Sequence, residues 1–525
     1  MKRYLAISLI FCIVFAFCGC SLASQADAVK VSQDDNNVIH LALNKDIKSP
    51  DVQVSGCSEI AENIYSRLVK ISKDSNGNSN LVGDLAESWD ISSDGTEYTF
   101  HLRENVLFSN GQCLEADDIL YTIDRMLNPE TNAISNEAAE HIYGAYDVML
   151  GEKSSVENIG VFIIDKFTVK LVLRESWAPF LASLCDTSWS IYNRDAKTAG
   201  AYSIGTGPYV FDDWKAGEYV FLTANNDYFG GRPAIDGILY RIIPDFNTQL
   251  ELFTAGELDI IKVQDPDTAD LYLNDSECSN YIVAEKQLDI WYYAMNQNIA
   301  PFSDNIVRQG LQRSIDRKAI LNSVFHNRGQ VLNGIIPSGM QGYEQTTARL
   351  KYNVSEAVDL FREAGFAEGF NITICQTGTD EAENSINQLV SEQLALCDVV
   401  VNVKTMEPSA YYSLLTGGTL PMHLCHIVCD VNEPSILFSA FTSYGCARSS
   451  INCQNEDIVD RCSDAQKISD ISARLAEYQN LEEVIIHDDA AIIPLFQLYS
   501  YVLINPRIDN FQKGTNSVSE LSIIQ

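Results

Sequence analysis

Basic residues are scarce in this sequence: 36 Lys and Arg stand against 71 Asp and Glu, a formal charge of −35. A surface that acidic repels phosphate backbones and anionic headgroups, which excludes nucleic acid as a partner. Long apolar runs are scarce too, and after residue 17 no stretch approaches the roughly 20 residues of a membrane helix. Catalytic signatures are missing. There is no G-x-S-x-G elbow, no H-E-x-x-H, no Walker A loop and no G-x-G-x-x-G after a strand. The seven His are spread from His40 to His487. No enzyme activity and no cofactor is expected. Fourteen Cys over 525 residues are too sparse for a small disulfide scaffold. Internal repeats and low-complexity blocks are absent.

What is present starts with Lys2 and Arg3, then an apolar run from Leu5 to Phe17, then Cys18-Gly19-Cys20 and polar residues. Charge, apolar run, small residue is the layout of a secretory signal. Gly19 directly before Cys20 resembles a bacterial lipobox. The expectation is a signal peptide at 1–19, a lipid on the Cys20 sulfur, and a polar, acidic tether at 20–37. Cys12 and Cys18 leave with the signal and Cys20 takes the lipid. Eleven Cys remain, an odd number that leaves at least one thiol unpaired.

The rest is 46% hydrophobic and 10% aromatic, a folding composition, and its length suggests two to four domains. Alternation and turn residues predict strands at 38–43, 88–92, 97–102 and 238–243, and strand-rich stretches at 159–173 and 209–222. Further strands are expected at 289–296, 371–375, 399–404 and 490–504. Helical spacing is expected at 58–70, 116–127, 248–255, 304–325, 355–364, 384–396 and 472–487. Residues 74–80 look briefly like a calcium loop. The last ligand position holds Leu85 instead of a carboxylate, so a turn is expected. Carboxylate pairs such as Asp117-Asp118 and Asp488-Asp489 read as solvated faces in so acidic a chain. Intermixed helices and strands mean α/β domains.

One segment gathers chemistry: His423-Leu-Cys425-His426-Ile-Val-Cys429-Asp430. In a strand, His423, Cys425 and Cys429 share one face and His426 and Asp430 the other. Neither face has a C-x-x-C spacing. Buried strand residues are the expectation, so no metal is assigned, and a transition-metal site on His423, Cys425 and Cys429 is the alternative.

A set of blocks, in order and over nearly all of the mature chain, resembles the oligopeptide, dipeptide and nickel solute-binding proteins of ABC importers, family 5. They are Asp84-Leu-Ala-Glu-Ser-Trp89, Tyr98-Thr-Phe-His-Leu-Arg103, Phe108-Ser-Asn-Gly111 through Ala116-Asp-Asp118, and Gly205-Thr-Gly-Pro-Tyr209. Asn226-Asp-Tyr-Phe-Gly-Gly-Arg-Pro233, Ala255-Gly-Glu-Leu-Asp259, Val307-Arg-Gln309 and Ser314-Ile-Asp-Arg317 complete them. The resemblance implies a two-lobed periplasmic-binding-protein-like clamshell, class II and of the large cluster C type. The first lobe would span 38–290 plus 492–525, with an extra subdomain at about 60–200, and the second 291–491.

It further implies a peptide or other amine-bearing solute held between lobes that close on it, and delivery to a membrane permease with its ATPases. The protein would be a monomer held to the membrane by its lipid. Asp430, in Cys429-Asp-Val-Asn432-Glu-Pro434, matches the family's acidic ligand loop. Tyr292 matches a ligand-facing aromatic, with Trp291 and Tyr293 on the opposite face. Trp189 is either a cleft wall or a core residue, and Asn432 is the last candidate ligand residue. Two departures stand out. The family's disulfide between the hinge strand and the acidic loop falls on Asp289 and Val428. The dipeptide branch's Arg falls near Asp380, Glu381 and Glu383. A second reading of the same resemblance is a nickel or metal-chelate binder.

Overall fold

The expected strand at 38–43 is β1 (Val38–Leu43), the first strand of a large mixed sheet. The computed structural model describes residues 35–55, 57–73, 79–134, 137–150, 159–195, 203–263, 265–276, 278–344, 350–429, 431–442, 445, 449–511 and 517–524. Residues 39–525 form one unit and residues 1–38 another. The signal segment, Cys20 and the 74–78 part of the calcium-like loop lie outside the described residues.

A hairpin follows, β2 (Val69–Lys73) and β3 (Ser79–Gly83), then β4 (Ala86–Ile91), β5 (Glu97–Leu102), β6 (Val161–Asp165) and β7 (Thr168–Val172). The last four form an antiparallel sheet ordered β4-β5-β7-β6. On β5, Tyr98, Phe100 and Leu102 are buried and their neighbours are not, the period-two pattern of a half-buried strand. These side chains meet Ile119, Ile123 and Met126 of the helix Ala116–Leu127 in one core that runs from Leu68 to Ile191.

The large sheet adds β8 (Tyr209–Lys215), β9 (Tyr219–Ala224), β10 (Gly237–Ile242), β11 (Ile260–Lys262), β12 (Ile282–Lys286) and β13 (Asp289–Met295). It continues with β14 (Gly329–Val331), β15 (Phe370–Gln376), β16 (Val399–Thr405), β17 (Met422–Val428) and β18 (Ile492–Ile504). Its order is β16-β15-β17-β13-β18-β11-β1-β10-β9-β8, with β12 and β14 also paired to β18. The 13-residue β18 holds the sheet together. Residues up to Leu498 pair β13 and β14, and from Tyr499 onward they pair β12 and β11. The fully buried Gln497 stands at the changeover and donates to Gln287 O at 2.6 Å and Ser338 O at 2.8 Å. A register shift between Trp291 and Tyr292 falls opposite Pro494, which has no N–H to give a ladder.

Two sequence expectations change. The helix expected over 58–70 stops at Ile64. Leu68 and Val69 have helical spacing, but Val69 opens β2 and its hairpin takes the hydrogen bonds. Only one member of each carboxylate pair is a solvated face: Asp117 and Asp488 are exposed, and Asp118 and Asp489 are held by partners. Asp118 is 1% exposed and accepts N–H bonds from Glu115 and Arg194, each at 2.9 Å. Asp489 accepts from Arg308 Nη2 at 2.9 Å and Gln297 Nε2 at 2.8 Å. A buried carboxylate is stable only with such partners, and they come from residues far away in sequence.

The Gly205-Thr-Gly-Pro-Tyr209 block has a steric cause. Gly207 N–H donates to Ile64 O at 3.0 Å, and a Cβ on Gly205 or Gly207 would collide with the backbone at Ile64. Only glycine lets the two chains approach so closely.

Candidate ligand-binding cleft

A cavity of about 2430 Å³ opens where β13 and β17 face the four-stranded-sheet half. Drug-sized pockets run to roughly 1,000 Å³, so this space admits a peptide-sized solute. One wall is Tyr292, Ile427, Cys429 and Val431, continued by Ser435 and Ser439. The other is Arg67, His141, Trp177, Cys185 and Trp189.

Strand alternation decides which side chains face which way. Trp291, Tyr293 and Met295 enter one core with Leu424 and Phe496. Tyr292 enters the other with Cys425, Ile427 and Cys429, as the sequence placed them. Tyr292 is 4% exposed and stands opposite Cys425 in the ladder. Burial, followed by the neighbouring Cys425, holds its hydroxyl well above the usual range. Trp189 is both things the sequence allowed. It belongs to the core, edge-on to Phe180 at 6.2 Å, and it touches the cavity.

Asp430 lies outside the described residues. Its neighbours Cys429 and Val431 both line the cavity, and Val431 packs into the core of the four-stranded-sheet half. Asn432 is not on the cavity wall, and its side chain accepts Gln341 N–H at 2.6 Å. The structure thus brings Tyr292 and Trp189 to one cavity and uses Asn432 to brace a neighbouring loop.

His141 and Trp177 were not singled out by the sequence. Their rings stack at 3.9 Å and 6° on the cavity wall. Burial, with help from the charge of Arg174, pushes His141 down to about 4, so it is neutral. Neither residue sits in a periodic pattern that marks it, since His141 comes from the turn after the helix Glu137–Glu140 and Trp177 from the connection after β7. Arg67, one of several cations lining the cavity, is already matched, its two terminal nitrogens reaching Glu62 at 3.0 and 2.9 Å.

The positions of the family disulfide, Asp289 and Val428, are direct partners between β13 and β17. Here the buried Asp289 instead meets His426 Nε2 at 3.1 Å and Leu498 N–H at 3.0 Å. Cys57, Cys113, Cys185, Cys375, Cys397 and Cys425 are free thiols. Where the dipeptide branch has its Arg, Asp380 caps the helix Glu381–Ala395. Glu383 is pushed up to about 7 by burial and by the charge of Asp380.

His423, Cys425 and Cys429 share a face, but they are not brought together. Among the described residues, the three-donor group within 4.8 Å is Asp267, Asp270 and His326, and Arg328 already occupies Asp270. His423 is 1% exposed with both ring nitrogens unpartnered, and burial pushes it down to about 4. An unfolded His titrates near 6.5. Between pH 6.5 and 4 the unfolded chain therefore binds a proton that the native chain refuses. Stability falls as the pH drops through that window and is unaffected by this group above it. At about 1.4 kcal/mol per pH unit, the loss is on the order of 3 kcal/mol. His423→Leu is expected to lose less melting temperature than wild type between pH 7 and pH 4.5. Equal losses in the two proteins would show that His423 is not the acid-sensitive group.

Residues 80–448 match the family described as bacterial extracellular solute-binding proteins, family 5. The chain is 27% identical over 515 residues to heme-binding protein A of Haemophilus influenzae, covering 93% of this chain and 92% of that one. It is 30% identical to di/tripeptide-binding protein 4 of Pseudomonas aeruginosa, covering 83% and 84%. Its fold matches the unliganded open form of MppA, a periplasmic murein tripeptide binding protein, with a TM-score of 0.81, 20% identity and coverage of 94% and 98%. No described helix is long and apolar enough to cross a membrane. This chain belongs to the bacterial extracellular solute-binding proteins of family 5, a family of binding proteins and not of enzymes.

Proposed function

We propose that this chain is the receptor of an ABC importer, capturing a peptide-like, amine-bearing solute between two lobes and handing it to the membrane permease. The observation that carries this reading is the cavity of about 2430 Å³, flanked by both neighbours of Asp430. The lobes are 38–290 with 492–525 and 291–491, and the first includes a subdomain at about 60–200. The chain passes between them near Trp291 to Asn296 and again near Ala490 to Gln497, just before β18 changes partners between Leu498 and Tyr499. Two crossings suit a hinge, because few dihedrals need to change. Ligand binding then shifts the population toward the closed form. Tyr292 and Trp189 line the binding space, and Asp430 meets the ligand amine. The receptor works as a monomer.

A haem or metal-chelate ligand is the second reading. It is favoured by His141, whose neutral imidazole stands on the cavity wall, the form in which His binds metals. Native mass spectrometry of protein purified without refolding separates the two. A peptide mass, with a smaller radius of gyration in solution scattering once that peptide is added back, supports the first. A haem or metal-chelate mass selects the second. An unchanged radius at saturating ligand removes the clamshell mechanism.

The receptor is held outside the membrane by lipid on Cys20. Cys20→Ala is expected to release the protein into the medium or leave it unprocessed. A correctly cleaved Cys20→Ala protein that stays on the membrane would rule the anchor out.

A further inference from the structure

The connection 466–470, between the helices Glu456–Ala465 and Ile471–Glu483, touches the four-stranded-sheet half. Ala178 N–H donates to Gln466 O at 2.7 Å, and Ser176 Oγ to Lys467 O at 2.9 Å. Lys467 Nζ lies 3.8 Å from Glu175. A Cβ on Gly95 would strike Ser469 Oγ, and its φ of +69° suits glycine.

From the other side one guanidinium grips the same connection. Arg474 Nη1 donates to Ile468 O at 2.7 Å, and Nη2 donates to Glu433 Oε2 at 3.0 Å. The two side chains are 4% and 9% exposed. Glu433 stands in the 429–434 loop, and its other oxygen accepts Ser435 N–H at 3.2 Å and the Ser435 hydroxyl. Val431 and Ile436, on either side of Glu433, reach across to the core of the four-stranded-sheet half. Burial pushes the Tyr98 hydroxyl of β5 up to about 12, and the Arg474 charge works against that shift. One side chain therefore joins the candidate ligand loop to the contact at the cleft's lip.

We propose that Arg474 is a positioning residue: its fork ties the 429–434 loop to the 466–469 connection, so that ligand loop and lip contact move as one body. The functional meaning rests on the reading of 429–434 as the ligand loop. A planar guanidinium suits the task because its donors hold two acceptors at fixed angles. A Lys ammonium is a single point on a flexible stem and cannot span both.

The test uses amide hydrogen exchange of the full mature protein without ligand. Arg474→Met with Glu433→Gln removes both charges and leaves no orphan ion. Peptides covering 431–438 and 174–180 are both expected to exchange at least about tenfold faster than in wild type, with the rest of the chain unchanged. Ala178 is the decisive amide, because it lies in the other half of the molecule and reports only the lip contact. Acceleration confined to 431–438 would reduce Arg474 to a local anchor and overturn the proposal. If the double variant fails to fold, Arg474→Lys decides: faster exchange in both segments supports the coupling, and a change in only one of them or in neither overturns it. Calorimetry of Asp430→Asn with the ligand identified by mass tests the ligand reading apart from these exchange rates, so failure of that reading and failure of this proposal are separately visible.

Discussion

Asp430→Asn is expected to weaken binding of the native ligand at least about tenfold while leaving the fold intact. The cavity is lined on both sides of this residue, and the segment's other carboxylate, Glu433, is taken by Arg474. An ammonium meeting a desolvated carboxylate forms a charge-assisted hydrogen bond, stronger than a neutral one. Removing one partner leaves the other charge buried alone, at a cost on the order of 2–5 kcal/mol, and about 1.4 kcal/mol is tenfold in affinity. Asn keeps the shape and deletes only the charge. Calorimetry with the ligand identified by mass measures the change. The same ligand with its amine acetylated should bind wild type weakly and be indifferent to the substitution. Equal affinity of Asp430→Asn and wild type for the unmodified ligand would remove Asp430 from the binding site.

Arg308→Met is expected to cost about 3–5 kcal/mol of apparent stability, the range for breaking a buried ion pair from one side. Arg308 is 2% exposed. Its guanidinium donates to Phe302 O at 2.7 Å and to Asp489 O at 3.1 and 2.7 Å, besides Asp489 Oδ1 at 2.9 Å. These bonds hold the turn that feeds β18, where Ala490 has a φ of +54°. A non-glycine residue there costs roughly 1–2 kcal/mol, so the turn needs outside support. Gln312 adds bonds to Ile486 O at 3.0 Å and Ile492 O at 2.8 Å. Arg308 does not line the cavity, so ligand affinity of the folded variant should match wild type. Chemical denaturation checks the first statement and calorimetry the second. A loss under about 1 kcal/mol would mean that water replaces the guanidinium, and the Val307-Arg-Gln309 block would need another explanation.

Much of the secondary structure was legible because its cause is local. On β5 the side-chain period is two, and in the helix Ala116–Leu127 the apolar spacing matches 3.6. The division of Trp291, Tyr292 and Tyr293 between two faces of β13 follows from the same geometry. The helix end at Ile64 was not legible. Ile60, Ile64 and Leu68 keep helical spacing, but pairing of β2 with β3 outweighs weak local propensity.

The site divides along the same line. The sequence by itself determined the family and the alternation that turns Tyr292 and Cys425 toward one side, since each rests on residues near one another in the chain. Only the tertiary structure decided that Asp118 is buried and Asp489 is paired with Arg308, that His141 and Trp177 stack on the cavity wall, that His423, Cys425 and Cys429 stay apart, and that Arg474 joins Glu433 to Ile468. Burial and partner choice for a charged side chain depend on desolvation and on groups contributed by distant segments, and no period or spacing along a chain encodes which distant segments will meet.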